Sequence, residues 1–133
     1  MKRFLAVPLL LAVACKPPTP AEQMDTIVSW IATARMAGDA SLRRTTPDKY
    51  TRQTLELSDR MLLQSGSELL KSPPPAIDSA DFAKVLIRTR FQIKEMARLV
   101  EQKAAPEFRQ PWDSLGIYEK IVKQASDRID SSR

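Results

Sequence analysis

The stretch that decides the fold is DFAKVLIRTRFQIKEMARLV, residues 81–100. Its apolar side chains recur every three or four positions, the spacing of one face of an α-helix. The predicted stripe consists of Phe82, Val85, Leu86, Thr89, Ile93, Met96, Ala97 and Val100. Asp78 or Ser79 is the expected N-cap, with Asp81 adding a favourable negative charge in the first turn. We therefore predict an amphipathic helix from about residue 79 to about 104, ended by Pro106.

Two threonine-proline pairs mark helix starts before this segment. Thr19-Pro20-Ala21-Glu22 combines a capping box with proline at the first helical position, and predicts a helix over residues 20 to 37. Gly38 is the expected end of that helix, because glycine is common just beyond a C-terminus. Thr46-Pro47-Asp48 carries the same start signal and predicts a second helix over residues 47 to 71.

The second predicted helix mixes large and small residues on its inner face. That face is predicted to contain Tyr50, Thr54, Leu55, Leu57, Ser58, Met61, Leu62, Ser65, Gly66 and Leu69. Gly66 costs about 1 kcal/mol relative to alanine in a helix interior. Close packing against a bulky neighbour, rather than a hinge, is the expected reason for it.

A fourth helix is predicted from Pro111 to about Ser131. Its three-and-four spacing comes from Trp112, Leu115, Tyr118, Val122, Ala125 and Ile129. The four predicted helices have about 18 to 26 residues and are joined by loops of roughly six to nine, which favours antiparallel neighbours. The sequence therefore predicts an all-α protein, an antiparallel up-down four-helix bundle over residues 21–133.

Composition removes several kinds of chemistry. The chain has no histidine, one cysteine and three well-separated glycines. Histidine is the commonest general base and metal ligand, and a phosphate-binding loop needs clustered glycines. The sixteen acidic residues fit solvent-exposed helix faces. We expect no catalytic residues, no metal and no cofactor; an enzyme would have to rely on carboxylates, lysines or the tyrosines Tyr50 and Tyr118.

The first fourteen residues have the pattern of a secretory signal peptide. Lys2 and Arg3 precede an apolar stretch, residues 4–14, that ends in small residues. A helix of that length reaches only about 16 Å, against a hydrocarbon core of roughly 30 Å. A permanent transmembrane span is therefore not predicted, and residues 1–14 are expected to be cleaved.

Ala12-Val13-Ala14-Cys15 resembles the lipobox of bacterial lipoproteins, although that pattern prefers leucine where this chain has Ala12. The resemblance implies that Cys15 becomes the lipid-modified first residue of the mature chain and carries three acyl chains. It also implies a bacterial cell envelope location, anchored by lipid and facing the periplasm. Lys16, in place of an acidic residue, favours the outer membrane over the inner one. The alternative is a secreted protein that is cleaved elsewhere and keeps a free thiol.

Residues 15–20 would form a short tether. Pro17, Pro18 and Pro20 stiffen it, and at about 3.1 Å per residue it holds the domain only ~15 Å from the anchor. Loss of Lys2 and Arg3 lowers the net charge from +5 to +3. That charge falls short of the pattern of a nucleic-acid-binding protein, so no nucleic acid partner is predicted.

The third predicted helix supplies a candidate binding surface. Basic residues recur along it, while Phe91 and Ile87 fall outside the apolar stripe. These two residues form either a secondary core or an exposed apolar patch. The candidate partner-binding residues are Arg88, Arg90, Phe91, Lys94 and Arg98. The alternative is that these charges only provide solubility.

Three classes of function remain. The first is a membrane-anchored, non-catalytic accessory or assembly subunit of a larger envelope complex, with a protein partner. In size, lipid anchor and all-helical character the chain resembles the helical secretin pilotins, although it lacks their frequent internal cysteine pair. The second is a pilotin-like or chaperone-like periplasmic binder of a protein segment or apolar ligand. The third is an enzyme.

Overall fold

Four α-helices form a ring in the computed structural model, which describes residues 16–100, 102 and 105–132. The helices are α1 (Pro20–Leu42), α2 (Asp48–Lys71), α3 (Ser79–Leu99) and α4 (Ala105–Ser131). Each helix packs against the next one in the chain, and α4 also packs against α1. The predicted antiparallel up-down four-helix bundle is confirmed.

The core is one cluster of apolar side chains along the bundle axis. Its fully buried large members are Met24, Ile27, Ile31, Leu55, Leu62, Leu69, Ile93, Met96, Val100, Leu115 and Val122. Buried hydroxyl groups on the same faces are satisfied locally. The Ser58 hydroxyl donates to the Thr54 carbonyl at 2.8 Å, and the Thr89 hydroxyl donates to the Val85 carbonyl at 2.7 Å. Such bonds let small polar residues occupy core positions without an unpaired donor.

The helix caps at α1 and α3 are as predicted. The Thr19 hydroxyl accepts from the Glu22 amide at 3.2 Å, and Pro20 occupies the first helical position. Between the two candidates for the α3 cap, the structure selects Asp78. Its carboxylate accepts from the Ala80 and Asp81 amides at 3.0 and 3.2 Å.

Helix α1 continues through Gly38, so the prediction that it ends there is wrong. Gly38 is helical and buried, and a Cβ atom on it would collide with Met96 Cε and lie 2.6 Å from Trp112 Cδ1. The glycine is therefore needed for close packing of α1 on its neighbours, not for a left-handed turn. The sequence assigned close packing to Gly66, and Gly66 also packs closely: a Cβ there would lie 2.6 Å from Leu86 Cδ1, the end of a flexible side chain that can shift.

The turn that ends α1 lies six residues later, at Arg44. This residue has a φ of 56°, in the left-handed region. The Thr45 amide donates to the Ala40 carbonyl at 2.9 Å and the Arg44 amide donates to the Ser41 carbonyl at 3.1 Å. Together these bonds form a Schellman motif, with arginine at the position that usually holds glycine.

Helix α2 departs from its prediction at its start and on its inner face. Thr46 does not cap it; Pro47 is the last non-helical residue, and no side chain caps this end. Tyr50 and Leu57, expected inside, are exposed. The predicted face was too wide, because α2 packs mainly against two neighbours and buries only a narrow stripe. That stripe is Thr51, Leu55, Ser58, Asp59, Leu62, Gly66 and Leu69.

The boundary between α3 and α4 was also predicted wrongly. Helix α3 ends at Leu99 rather than near residue 104, and α4 begins at Ala105 rather than Pro111. Pro106 therefore lies in the first turn of α4 instead of ending α3. Pro111 lies inside α4, where its missing amide leaves the carbonyl four residues earlier, on Glu107, without its helical donor. The buried Phe108 packs this segment onto the core.

Candidate interaction surface

The outer ridge of α3 carries two exposed apolar side chains. Ile87 and Phe91 are 67% and 58% exposed. They are four residues apart, which places them on the same side of the helix. Lys84 and Arg88 are exposed on the same helix. Of the two alternatives that the sequence left open for Ile87 and Phe91, the structure shows the exposed patch.

Two of the predicted binding residues on α3 contact a buried carboxylate of α2. Arg90 is largely buried, and its Nε and Nη2 atoms donate to the two carboxylate oxygens of Asp59 at 2.9 and 3.4 Å. The Lys94 Nζ atom lies 3.9 Å from the same carboxylate. Arg90 therefore ties α3 to α2, a structural role that the basic pattern of α3 did not reveal.

The other charged candidates are exposed. Arg98 makes a bidentate contact with Glu95, at 2.8 and 3.3 Å. Its guanidinium group holds the pKa of the Glu95 carboxyl below the usual value of 4.5. Within the described residues Arg88 makes no hydrogen bond or ion pair. Arg88 and Phe91 are thus the candidates whose side chains are not engaged elsewhere in this part of the bundle.

A groove lined mainly by positively charged side chains runs between α2 and α3. It has a volume of about 640 Å³ and is lined by Arg52, Arg60, Lys94 and Arg98 around the carboxylates of Glu56 and Asp59. Leu55 and Ala97 also line it. Arg98 is paired with Glu95 and Asp59 with Arg90, so the further charged residues of the lining are the cations Arg52, Arg60 and Lys94 and the anion Glu56. An open groove of this charge is suited to an anionic ligand or an acidic segment.

A smaller apolar notch also lies between α2 and α3. We call the region that contains the groove and the notch the α2–α3 seam. The notch has a volume of about 130 Å³, and its apolar lining is Leu62, Leu63, Gly66, Leu70, Ala83, Leu86 and Ile87. Arg90 lines the notch and its partner Asp59 lines the cationic groove. The two features are therefore adjacent along the seam, joined at this ion pair.

Three exposed apolar residues were missed from the sequence, one at the notch and two on α4. Leu63, half-exposed at the notch, follows the core residue Leu62 and so looked like an ordinary outward position. Ile117 and Ile121 on α4 are also exposed. Their spacing of four residues outside the α4 stripe was a usable signal, of the same kind as Ile87 and Phe91 on α3.

The described part of the chain offers no group of three or more His, Cys, Asp or Glu side chains placed to hold a metal ion. Among the helices described, none combines the length and apolar character that crossing a membrane requires. Residues 1–14 and the predicted lipidation site Cys15 lie outside the described residues. Comparison with protein-family models, with curated proteins and with solved structures finds no match for this chain.

Proposed function

We propose that this protein is a membrane-anchored, non-catalytic lipoprotein of the bacterial envelope, acting as an accessory or assembly subunit of a larger membrane complex. The observation that carries the proposal is the exposed pair Ile87 and Phe91 on a helix ridge that also bears Lys84 and Arg88. Both side chains are exposed to solvent on one helix face, although the core beneath them is complete. An exposed apolar pair of this kind is typical of a protein-binding surface.

The N-terminal sequence supports the anchored location. Cys15 follows the lipobox-like Ala12-Val13-Ala14, and α1 already begins at Pro20. Only residues 16–19 separate the proposed lipid from the bundle. A domain held so close to a bilayer meets partners that are themselves in the membrane, at a raised effective concentration.

A second candidate is a pilotin-like or chaperone-like periplasmic binder of a protein segment or apolar ligand. The α2–α3 seam favours it, because its cationic groove and apolar notch are adjacent and open to solvent. The two candidates differ in stoichiometry: a subunit has one constant partner, whereas a chaperone has many transient ones.

Crosslinking in native membranes, followed by affinity purification and mass spectrometry, tests the proposal. We expect one stoichiometric partner with the wild-type protein and a weaker yield with Cys15→Ser, which removes the anchor. The double variant Ile87→Ser/Phe91→Ser should lose the partner, whereas Met36→Ser, which changes an exposed apolar residue of α1, should keep it. If the wild type returns no dominant partner, the subunit proposal fails and the binder of transient clients takes its place.

A further inference from the structure

We propose that the α2–α3 seam binds an acidic segment of the partner protein, with one large apolar side chain in the notch beside Gly66 and carboxylates in the cationic groove. This inference rests on the proposed function and adds the chemistry of the partner. It assigns the contact to the seam rather than to the exposed apolar residues elsewhere on the bundle.

The charge of the groove is the first argument. Asp59 is already satisfied by Arg90 at 2.9 Å, so its contact with Lys94 at 3.9 Å is a weak one. Lys94 is 59% exposed, and Arg60 makes no ion pair within the described residues. These two cations therefore face solvent with little internal compensation. A carboxylate of a partner would gain charge-assisted hydrogen bonds there and leave the Asp59–Arg90 pair intact.

The size of the notch is the second argument. A volume of about 130 Å³ lies well below the ~300–1,000 Å³ of pockets that hold small organic ligands. It is close to the ~150 Å³ of an engineered cavity that admits one benzene ring. The notch therefore has room for one amino-acid side chain, but not for the acyl chain of a lipid. This size favours a protein segment over a membrane lipid as the occupant.

The spacing along the seam fixes a pattern for the segment. Gly66 at the notch and Asp59 at the groove are seven residues apart on α2, which corresponds to about 10 Å along the helix axis. A partner would place its carboxylates about seven residues from its apolar anchor if it is helical, or about three residues away if it is extended.

Site-specific photocrosslinking of the full-length protein in native membranes tests this inference. The photoreactive amino acid p-benzoylphenylalanine replaces Leu63 or Ile87 at the notch, and Met36 or Ile117 at exposed apolar positions on other helices. We expect both notch positions to crosslink to the same partner segment, one with net negative charge and a large apolar residue. The matched positions should give less than about a tenth of that yield.

Charge substitutions in the crosslinking protein provide the second readout. Arg60→Gln/Lys94→Gln should reduce the yield at Leu63 about tenfold or more. Arg109→Gln/Lys120→Gln removes the same charge from exposed positions of α4 and should leave the yield unchanged. Thermal unfolding of each variant verifies that the bundle is folded. A yield that both double variants leave unchanged would overturn the inference.

The failure of this inference is distinguishable from the failure of the proposed function. Protein crosslinks from Met36 or Ile117 but not from the notch overturn the seam and leave the subunit proposal standing. Crosslinks to lipid alone overturn both and identify the seam as a membrane contact. An absence of protein crosslinks from all four positions also overturns both.

Discussion

Arg35 and Trp112 contact each other in two ways, one through the side chain of Arg35 and one through its backbone carbonyl. The guanidinium carbon of Arg35 lies 4.7 Å from the centre of the indole ring, and the indole Nε1 atom donates to the carbonyl of Arg35 at 3.0 Å. Arg35 Nη1 also donates to the carboxylate of Glu119 at 3.0 Å. This arrangement, which we call the α1–α4 cluster, combines a cation–π contact, an ion pair and a hydrogen bond to the backbone at one point.

Trp112→Phe should destabilise the bundle by about 1–2 kcal/mol, because the aromatic ring is kept but the indole donor is lost. Urea unfolding followed by circular dichroism measures the change. Trp30→Phe is the control: Trp30 is also half-buried at the edge of the core but makes no side-chain hydrogen bond within the described residues. Equal losses for the two variants would show that the hydrogen bond to Arg35 has no net value.

Gly38→Ala should destabilise the bundle by about 1–3 kcal/mol, as overpacking does, even though alanine is the better helix former. The new Cβ would press on the rigid Trp112 ring, which its hydrogen bond holds in place. Gly66→Ala meets only a methyl group of Leu86 at the edge of an open notch, so its cost should stay within about 1 kcal/mol of zero. Equal destabilisation in the two variants would contradict this ranking.

Asp59→Asn should cost about 1–3 kcal/mol, because it leaves the largely buried guanidinium of Arg90 without a charged partner. The side chains of Asp59 and Arg90 are only 12% and 21% exposed. Glu68→Gln breaks the Glu68–Lys71 pair, whose side chains are 53% and 71% exposed, and should cost less than about 0.5 kcal/mol. Chemical denaturation of both variants makes the comparison, and a similar small loss in each would mean that burial adds nothing to the inter-helix pair.

Arg44→Gly should stabilise the protein by about 0.5 kcal/mol. Glycine adopts the left-handed conformation without strain, which raises the free energy of unfolding by about 1–2 kcal/mol. The greater freedom of glycine in the unfolded chain offsets part of this increase. Arg43→Gly is the control, because Arg43 has a φ of −82° and gains no relief. Thermal unfolding midpoints should rise for the first variant and fall for the second; a fall in both would contradict the Schellman assignment.

Acid should weaken the Glu95–Arg98 contact specifically. The hydrogen bond from Arg98 lowers the pKa of Glu95 in the folded protein. The Glu95 carboxylate therefore binds a proton more readily in the unfolded chain than in the folded one. The stabilising contribution is therefore present above about pH 4.5 and is lost as the pH falls through the lowered pKa. In an NMR titration, Arg98→Gln should raise the pKa of Glu95 towards 4.5, while Arg88→Gln should not move it.

Features fixed by near neighbours in sequence were predicted well. The cap of α1 by Thr19 and that of α3 by Asp78 depend on residues within three positions. The stripe of α3 depends only on helical spacing, and its central members are buried as expected. These signals identified all four helices and hence the bundle.

Features that depend on a partner from another helix were not predicted. Gly38 has the sequence appearance of a helix end, and only the positions of Met96 and Trp112 show that it is a packing site. Arg90 looked like one more exposed cation on α3, until the rotation of α2 placed Asp59 against it. The basic character of the candidate surface was therefore visible from the sequence, whereas the division of its charges between structure and solvent was not.

The α1–α4 cluster has a consequence for the order of folding. Apart from slight diagonal contacts, the other helix contacts join consecutive elements and so close short loops. Arg35 and Trp112, in contrast, are 77 residues apart. Loop-closure entropy delays such a contact until the intervening helices have paired. We therefore expect the α1–α4 cluster to form after the rate-limiting step of folding. Weakening it should then accelerate unfolding far more than it slows folding. Its main contribution would then be to how long the bundle stays folded once it has formed.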